Sequence, residues 1–333
     1  MRIAGGLAVL GCGLAAAAAD VDTAAVSGLI AGSLAAGILI DRSRGRVALI
    51  CGLAVMAMAL LRPVPGVLGL GAGMSLAAAN TLVWQAAPGN RATALCLLNL
   101  PLPVGAILNP FVPTGALLPA SAAAATLALL IALFARPIGP QPEAPPRAAA
   151  PRLPYVTLLL FVYAVCETAI WRLLPEFWRV AHVLDISTAR LIAACGVPLG
   201  MMAGRAAAAR LAAAIPPLTL LRFTAFAMTF ATALMLLARS PSASCVAAFL
   251  VGLALAPVLP MALAEAGWSP LGMAAALSAG WLGLAAASPL LWWIAHRSTL
   301  PTAMLLLPVA SLAIGQLAVL ARPVSADPRE RAD

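Results

Sequence analysis

Glu167 has the most chemistry to offer. It lies within the apolar run 154–172, where a carboxyl can carry a proton or hydrogen-bond a polar solute. A charge at mid-bilayer costs about 2.5–3.5 kcal/mol on insertion scales, so such a group faces a cavity or a partner. Tyr163, Glu167 and Trp171 are spaced i, i+4, i+8 and share one helical face. An acid between two aromatics suits a sugar, whose ring face stacks and whose hydroxyls hydrogen-bond. The competing account pairs Glu167 with Arg172 or Arg190 near a helix end. A second set is amides. Asn80 and Trp84 share a face of the run 66–86 beside Gln85, and Asn99 and Asn109 lie in 92–110. Amides between membrane helices bind ligand, or join helices at about 0.6 kcal/mol each. A third set, Gly37, Asp41, Arg42 and Arg46, surrounds a short charged turn.

Other chemistries have no carrier. There is no Gly-x-x-x-x-Gly-Lys-Ser/Thr phosphate loop, and no Ser/His/Asp constellation. The two histidines are far apart, and the six cysteines lie singly in apolar runs without metal or redox spacing. Neither a cofactor, nor a metal site, nor an enzyme is expected.

The elements that position these residues follow from composition. Of 333 residues, 63% are apolar and 9% charged, with a mean hydropathy of +1.02. A soluble domain carries roughly 25% charge. The charges gather between apolar stretches of the length that crosses a ~30 Å hydrocarbon core as helix. A barrel would need alternating strands of about 10 residues. The expectation is an all-α polytopic protein with twelve transmembrane helices at 3–19, 24–40, 47–62, 66–86, 92–110, 114–135, 154–172, 188–204, 215–238, 243–263, 270–295 and 301–321. The first could also be a cleaved signal peptide; the even split of six spans before and six after the central segment keeps it as a helix. Arg136 to Arg152 is proline-rich and polar and reads as a linker. The divisions are 1–135, 136–153, 154–322 and a tail 323–333.

The net charge of +9 would point to nucleic acid in a soluble chain. Here it marks sidedness. All 20 basic residues are Arg, and with the N-terminus inside, 13 fall on inner segments and 6 on outer ones, Arg222 being within a span. Both termini are then cytoplasmic, in a bacterial inner membrane, and no nucleic-acid partner is expected. The exception is the loop 173–187, where signs mix.

An internal repeat supports two pseudo-symmetric six-helix halves. Gly37 to Arg42 resembles Gly200 to Arg205, and Gly105 to Pro110 resembles Gly283 to Pro289. Paired halves are a transporter signature. At Gly37-x-Leu39-x-Asp41-Arg42-x-x-Gly45-Arg46 the chain resembles the major facilitator superfamily, whose second and third helices are joined by Gly-x-Leu-x-Asp-Arg-x-Gly-Arg-Arg/Lys. The second Gly falls one residue late here, with Arg44 in its place. Phe161 to Trp171 and Gly252 to Pro260 are similar to the seventh and tenth helices of fucose/glucose-type sugar permeases of that superfamily.

The resemblance implies a cytoplasmic gate of Gly37, Asp41, Arg42 and Arg46. Asp41 would face the start of the eleventh helix in the other half, which here is Ser269-Pro270, and latch that side shut. It also implies a secondary active transporter working by alternating access, with lipid, a small solute and protons as partners. Tyr163, Glu167, Trp171, Asn80, Trp84 and Asn99 would line the solute site, and Glu167 would couple protons. Two other readings stay open. One is a drug or metabolite exporter, although Asn109 replaces the Gly that the antiporter stretch has before its Pro. The other is a non-transporting scaffold for complex assembly or cofactor delivery.

Overall fold

A computed structural model describes residues 2–18, 22–62, 64–108, 111–134, 152–181, 183–266 and 269–321. The linker beyond Phe134, the tail beyond Ala321, and Asp20, Asn109 and His182 lie outside the described residues. Fifteen helices are described. The first half holds α1 (Arg2–Ala18), α2 (Thr23–Asp41), α3 (Gly45–Leu61), α4 (Pro65–Ala86), α5 (Arg91–Asn99), α6 (Val104–Leu108) and α7 (Thr114–Phe134). The second holds α8 (Leu153–Val180), α9 (Ile186–Leu211), α10 (Pro217–Leu237), α11 (Pro241–Leu255), α12 (Val258–Ala266), α13 (Pro270–Arg297), α14 (Leu300–Met304) and α15 (Leu306–Leu320). Three pairs, α5–α6, α11–α12 and α14–α15, are single crossings that are interrupted. Ten segments are long and apolar enough to cross a bilayer, and the shorter apolar helices Ile3–Leu14 and Gly45–Leu61 complete twelve. Large apolar side chains such as Phe223, Phe226 and Phe230 point outward, as a lipid-facing surface requires.

Helix starts follow local chemistry. Asp22, Asp185, Ser240, Ser269 and Thr299 each cap a free backbone N–H, and Pro65, Pro217, Pro241 and Pro270 occupy first-turn positions where no N–H is needed. Several ends differ from the sequence expectation. α8 continues to Val180, so Arg172, Glu176 and Arg179 are helical and not part of a loop; Glu176 and Arg179 pair one turn apart. α9 continues to Leu211, which takes Arg205 out of the inner-face segments and puts it inside a helix.

Glycines set the closest crossings, because helices meet tightly where side chains vanish. A methyl on Gly32 would lie 2.1 Å from Leu70 O and 2.8 Å from Met74 N; one on Gly200 would lie 2.1 Å from Phe249 O and 2.8 Å from Leu253 N. The α2–α4 and α9–α11 crossings are therefore the same contact in the two halves. Gly28 makes the same kind of contact one turn earlier, an added methyl lying 2.1 Å from Gly66 O and 2.7 Å from Leu70 N, so the crossings repeat in kind without setting a unique register between the halves. The match of Gly105 with Gly283 is of the same structural kind: each packs against a carbonyl of its half's opening helix, Gly13 O at 2.1 Å and Phe161 O at 2.3 Å from an added methyl.

The two ends of the bundle differ. One carries the α2–α3 and α4–α5 turns with Arg42, Arg44, Arg91, Arg152 and Arg210, and is called the basic end below. At the opposite end the Arg297 guanidinium lies over Trp293, 4.2 Å from the ring centre. Trp292 and Trp293 are exposed there as interface aromatics, whereas Trp281 turns inward and donates to Ser33 Oγ across the halves at 3.1 Å.

Candidate functional site

The centre of the site is created by two prolines. A helix through α5 would supply the N–H of residue 103 to the carbonyl of Asn99. Residue 103 is Pro, and Pro101 precedes it, so the helix stops at Asn99 and its carbonyl keeps only a turn bond from Leu102 N at 3.2 Å. Arg205 of the other half fills the gap: its Nη1 donates to Asn99 O at 2.5 Å. Side chains on a helix lean toward its N-terminus, which on α9 aims Arg205 from near the basic end toward mid-bundle. Arg205 is fully buried, yet its Nε and Nη2 have no hydrogen-bond partner. A buried cation with two N–H-bearing nitrogens left without partners is expensive, which makes Arg205 a candidate functional position.

Around Arg205 the structure gathers part of the expected site. Tyr163, Glu167 and Trp171 do share one face of α8. Arg205 lies within electrostatic reach of both Glu167 and Tyr163, and Tyr163 and Trp171 flank the Glu167 carboxyl. Tyr163 is 2% exposed and its hydroxyl makes no hydrogen bond of ordinary geometry. Glu167 and Trp171 are half-buried. Among the described residues no ion pair joins Glu167 to Arg205: the two pairs present are Arg152–Glu265 and Arg179–Glu176. Asn80 and Asn99 are buried and bonded to each other, Asn99 Nδ2 donating to Asn80 Oδ1 at 2.9 Å. Each also donates to a carbonyl one turn back, so the pair ties α4 to α5 and fixes the carbonyl that Arg205 uses.

Trp84 is not part of this layer. It lines a cavity of about 350 Å³ at the basic end with Asn90, Arg91, Arg152 and Glu265. Its ring carries the Arg91 guanidinium 3.7 Å from the centroid, and its Nε1 donates to Ala264 O in the other half at 3.0 Å. Arg152 pairs with Glu265 at 3.3 Å, and Arg91 lies within electrostatic reach of the same carboxyl. Thr93 Oγ1 adds a second bond across the halves, to Ala209 O at 2.9 Å.

The four gate residues are not brought together. Gly37 lies at the α2–α13 crossing, where an added methyl would meet Ala274 Cβ at 2.6 Å and Pro270 O at 3.2 Å. Asp41 is exposed and makes no hydrogen bond or ion pair among the described residues, although Ser269-Pro270 opens α13 as expected. Arg42 is the exposed C-cap of α2. Arg46 binds α7 of its own half, donating from Nε to Ala132 O at 3.1 Å and from Nη2 to Leu133 O. Closure at the basic end is made by Gly37, Thr93, Trp84 and the Arg91–Glu265 approach, and Arg205, Thr93, Arg91 and Glu265 had no part in the site read from the sequence. The signals for Arg205 were present: the run Ala206 to Ala209 continues a helix, and Asn99-Leu-Pro-Leu-Pro103 strands a carbonyl.

A twelve-helix bundle in two halves is the architecture of the major facilitator superfamily transporters, and the chain has that fold. It superimposes on the fucose:proton symporter FucP of E.coli with a TM-score of 0.76 at 14% identity, over 96% of this chain and 98% of that one. FucP in its outward conformation gives 0.74 at 15% identity, with the same two coverages. The human organic anion transporter MFSD10 and the proton:xylose symporter XylE each give 0.69, at 15% and 13% identity, over 95% and 96% of this chain and 83% and 92% of theirs. No family model and no curated protein matches the sequence.

Proposed function

We propose that the chain is a secondary transporter that moves a small polar solute of the sugar type across a bacterial inner membrane, with both termini cytoplasmic, by alternating access coupled to protons. The observation that carries this reading is the position of the polar layer. Tyr163, Glu167 and Arg205 lie between the halves, and the bonds that join the halves run from that layer and Ser33 toward the basic end. A bundle shut at one end and able to part at the other exposes its central groups to one side at a time. Glu167 is the proton carrier, since it is the half-buried acid beside an unsatisfied cation. The structural neighbours include two proton-coupled sugar symporters, which supports the same reading.

The test is uptake in liposomes containing the purified protein, with and without an inward proton gradient. Glu167→Gln is expected to keep solute exchange and lose gradient-driven accumulation by at least ten-fold. Unchanged accumulation removes Glu167 as the carrier. Flux of no solute in a broad panel removes transport itself and favours the scaffold reading.

A further inference from the structure

We infer that the solute carries a carboxylate, and that Arg205 is the group that binds it. The inference rests on the transport reading of the same site and names its ligand class. Three features of Arg205 combine. Its Nη1 is already held by Asn99 O at 2.5 Å, which fixes the plane of the guanidinium. The two nitrogens left without partners are Nε and Nη2. These form the side edge of the guanidinium, whose parallel N–H bonds match the two oxygens of a carboxylate. A single hydroxyl oxygen takes both bonds only in a bent geometry, weaker than the parallel pair that two carboxylate oxygens accept.

The second observation is independent of Arg205. The Tyr163 hydroxyl is buried, makes no hydrogen bond of ordinary geometry, and lies beside both the Glu167 carboxyl and the same guanidinium. It can donate to one oxygen of a carboxylate seated on the fork. The internal rival for the fork is Glu167, but no ion pair joins the two. Its half-buried carboxyl sits beside the fork without occupying it. Cys96 is the other titratable group near Arg205, and a thiol does not fill a two-oxygen fork.

The purified full-length protein in detergent is titrated with D-glucuronate, D-gluconate and L-lactate, and with the neutral partners D-glucose, D-glucitol and propane-1,2-diol. Binding is read by tryptophan fluorescence and by thermal shift. At least one carboxylate is expected to bind ten-fold or more tightly than its neutral partner. Arg205→Lys keeps a charge and a donor for Asn99 but has no planar fork, and is expected to erase that preference. Tyr163→Phe is expected to weaken the same carboxylate by about three-fold and serves if the lysine variant does not fold. The inference is overturned if no carboxylate binds, if neutral partners bind equally well, or if the lysine variant keeps the preference. The failures separate cleanly. Proton-driven uptake of neutral sugars without carboxylate preference removes this inference and leaves transport standing, whereas carboxylate binding without any flux leaves the site standing and removes transport.

Discussion

Gly37 on α2 and Arg205 on α9 both stand at seams between the two halves. Each stands five residues beyond a glycine, Gly32 or Gly200, at which its helix crosses a neighbour in its own half. Both positions face the opposite half. Gly37 lets α13 close onto α2 with nothing between the backbones. Arg205 spans the α5–α9 seam with a side chain and reaches the carbonyl that Pro103 leaves free on α5. One seam is closed by absence of atoms and the other by a charge. The scaffold is repeated, and the chemistry is placed on one copy of it. The first half agrees: among its described residues the buried polar side chains are hydroxyls and amides, Ser33, Ser75, Asn80, Thr81, Asn99 and Ser121, with no buried charge.

The largest effect is expected from filling the empty seam. Gly37→Val would drive side-chain atoms into Ala274 and the Pro270 carbonyl, and overpacking of this kind costs about 1–3 kcal/mol. α2 and α13 would then fail to close, and the basic end would stay open. Thiol labelling of Cys residues introduced at Ala92 and Ala209, both buried beside the Thr93 contact across the halves, should rise steeply, and net uptake should fall to background. Ordinary labelling with intact uptake would show that the seam tolerates a side chain and that the comparison is false.

Replacing the charge should act in the opposite sense on stability. Arg205→Met removes one bond to Asn99 O but also removes two unsatisfied buried N–H groups and a buried cation. Exchanging a poorly satisfied buried charge for a well-packed apolar side chain is neutral or stabilising by about 1–4 kcal/mol. The variant is expected to melt at the same or a higher temperature in detergent while losing solute binding. A lower melting temperature would mean that Arg205 is mainly a strut between the halves.

A smaller effect concerns the turn after α2. Ser43 has φ of 62°, the left-handed region, whereas the glycine of the turn stands at 45 and begins α3. A left-handed backbone costs an ordinary residue about 1–2 kcal/mol. Ser43→Gly is expected to raise stability by about 1 kcal/mol, seen as a small upward shift in melting temperature, with transport unchanged.

These residues also show what can be read without coordinates. Spans follow from hydropathy, helix starts from Ser269-Pro270 and its like, and the Tyr163–Glu167–Trp171 face from helical period, because each is a local property. Hydropathy places Arg205 in a turn, because a window ends at a charge. The helix-forming run Ala206 to Ala209 carries α9 past it, and the acceptor that takes its guanidinium lies 106 positions away in the chain. Asp41 carried the strongest resemblance, yet it is exposed and unbonded, since sequence fixes residue type at a turn but not whether a second helix comes within reach. The continuation of α8 was legible in principle: Glu176 and Arg179 have helical ion-pair spacing. Cys51 and Cys245 are exposed rather than buried, because a lipid-facing position and a core position select the same apolar types.

α2 and α9 also begin differently. α2 begins at Asp22, whose carboxylate accepts one backbone bond, from Ala25 N at 2.7 Å. α9 begins at Asp185, which accepts Ser187 N and Thr188 N at 3.0 Å each, and the Ser187 hydroxyl as well. Those donors hold the Asp185 carboxyl below its ordinary value of 3.8. Its capping contribution is therefore complete above about pH 4 and is lost as pH falls from there toward the lower folded value. Hydrogen exchange at Ser187 and Thr188 should be flat from neutral pH to about 4, once corrected for intrinsic rates, and should accelerate on further acidification. Asp185→Asn keeps an acceptor at the cap and should abolish that acid dependence. Acceleration that sets in well above pH 4, or that persists in the asparagine variant, would mean that another group governs the start of the helix that carries Arg205.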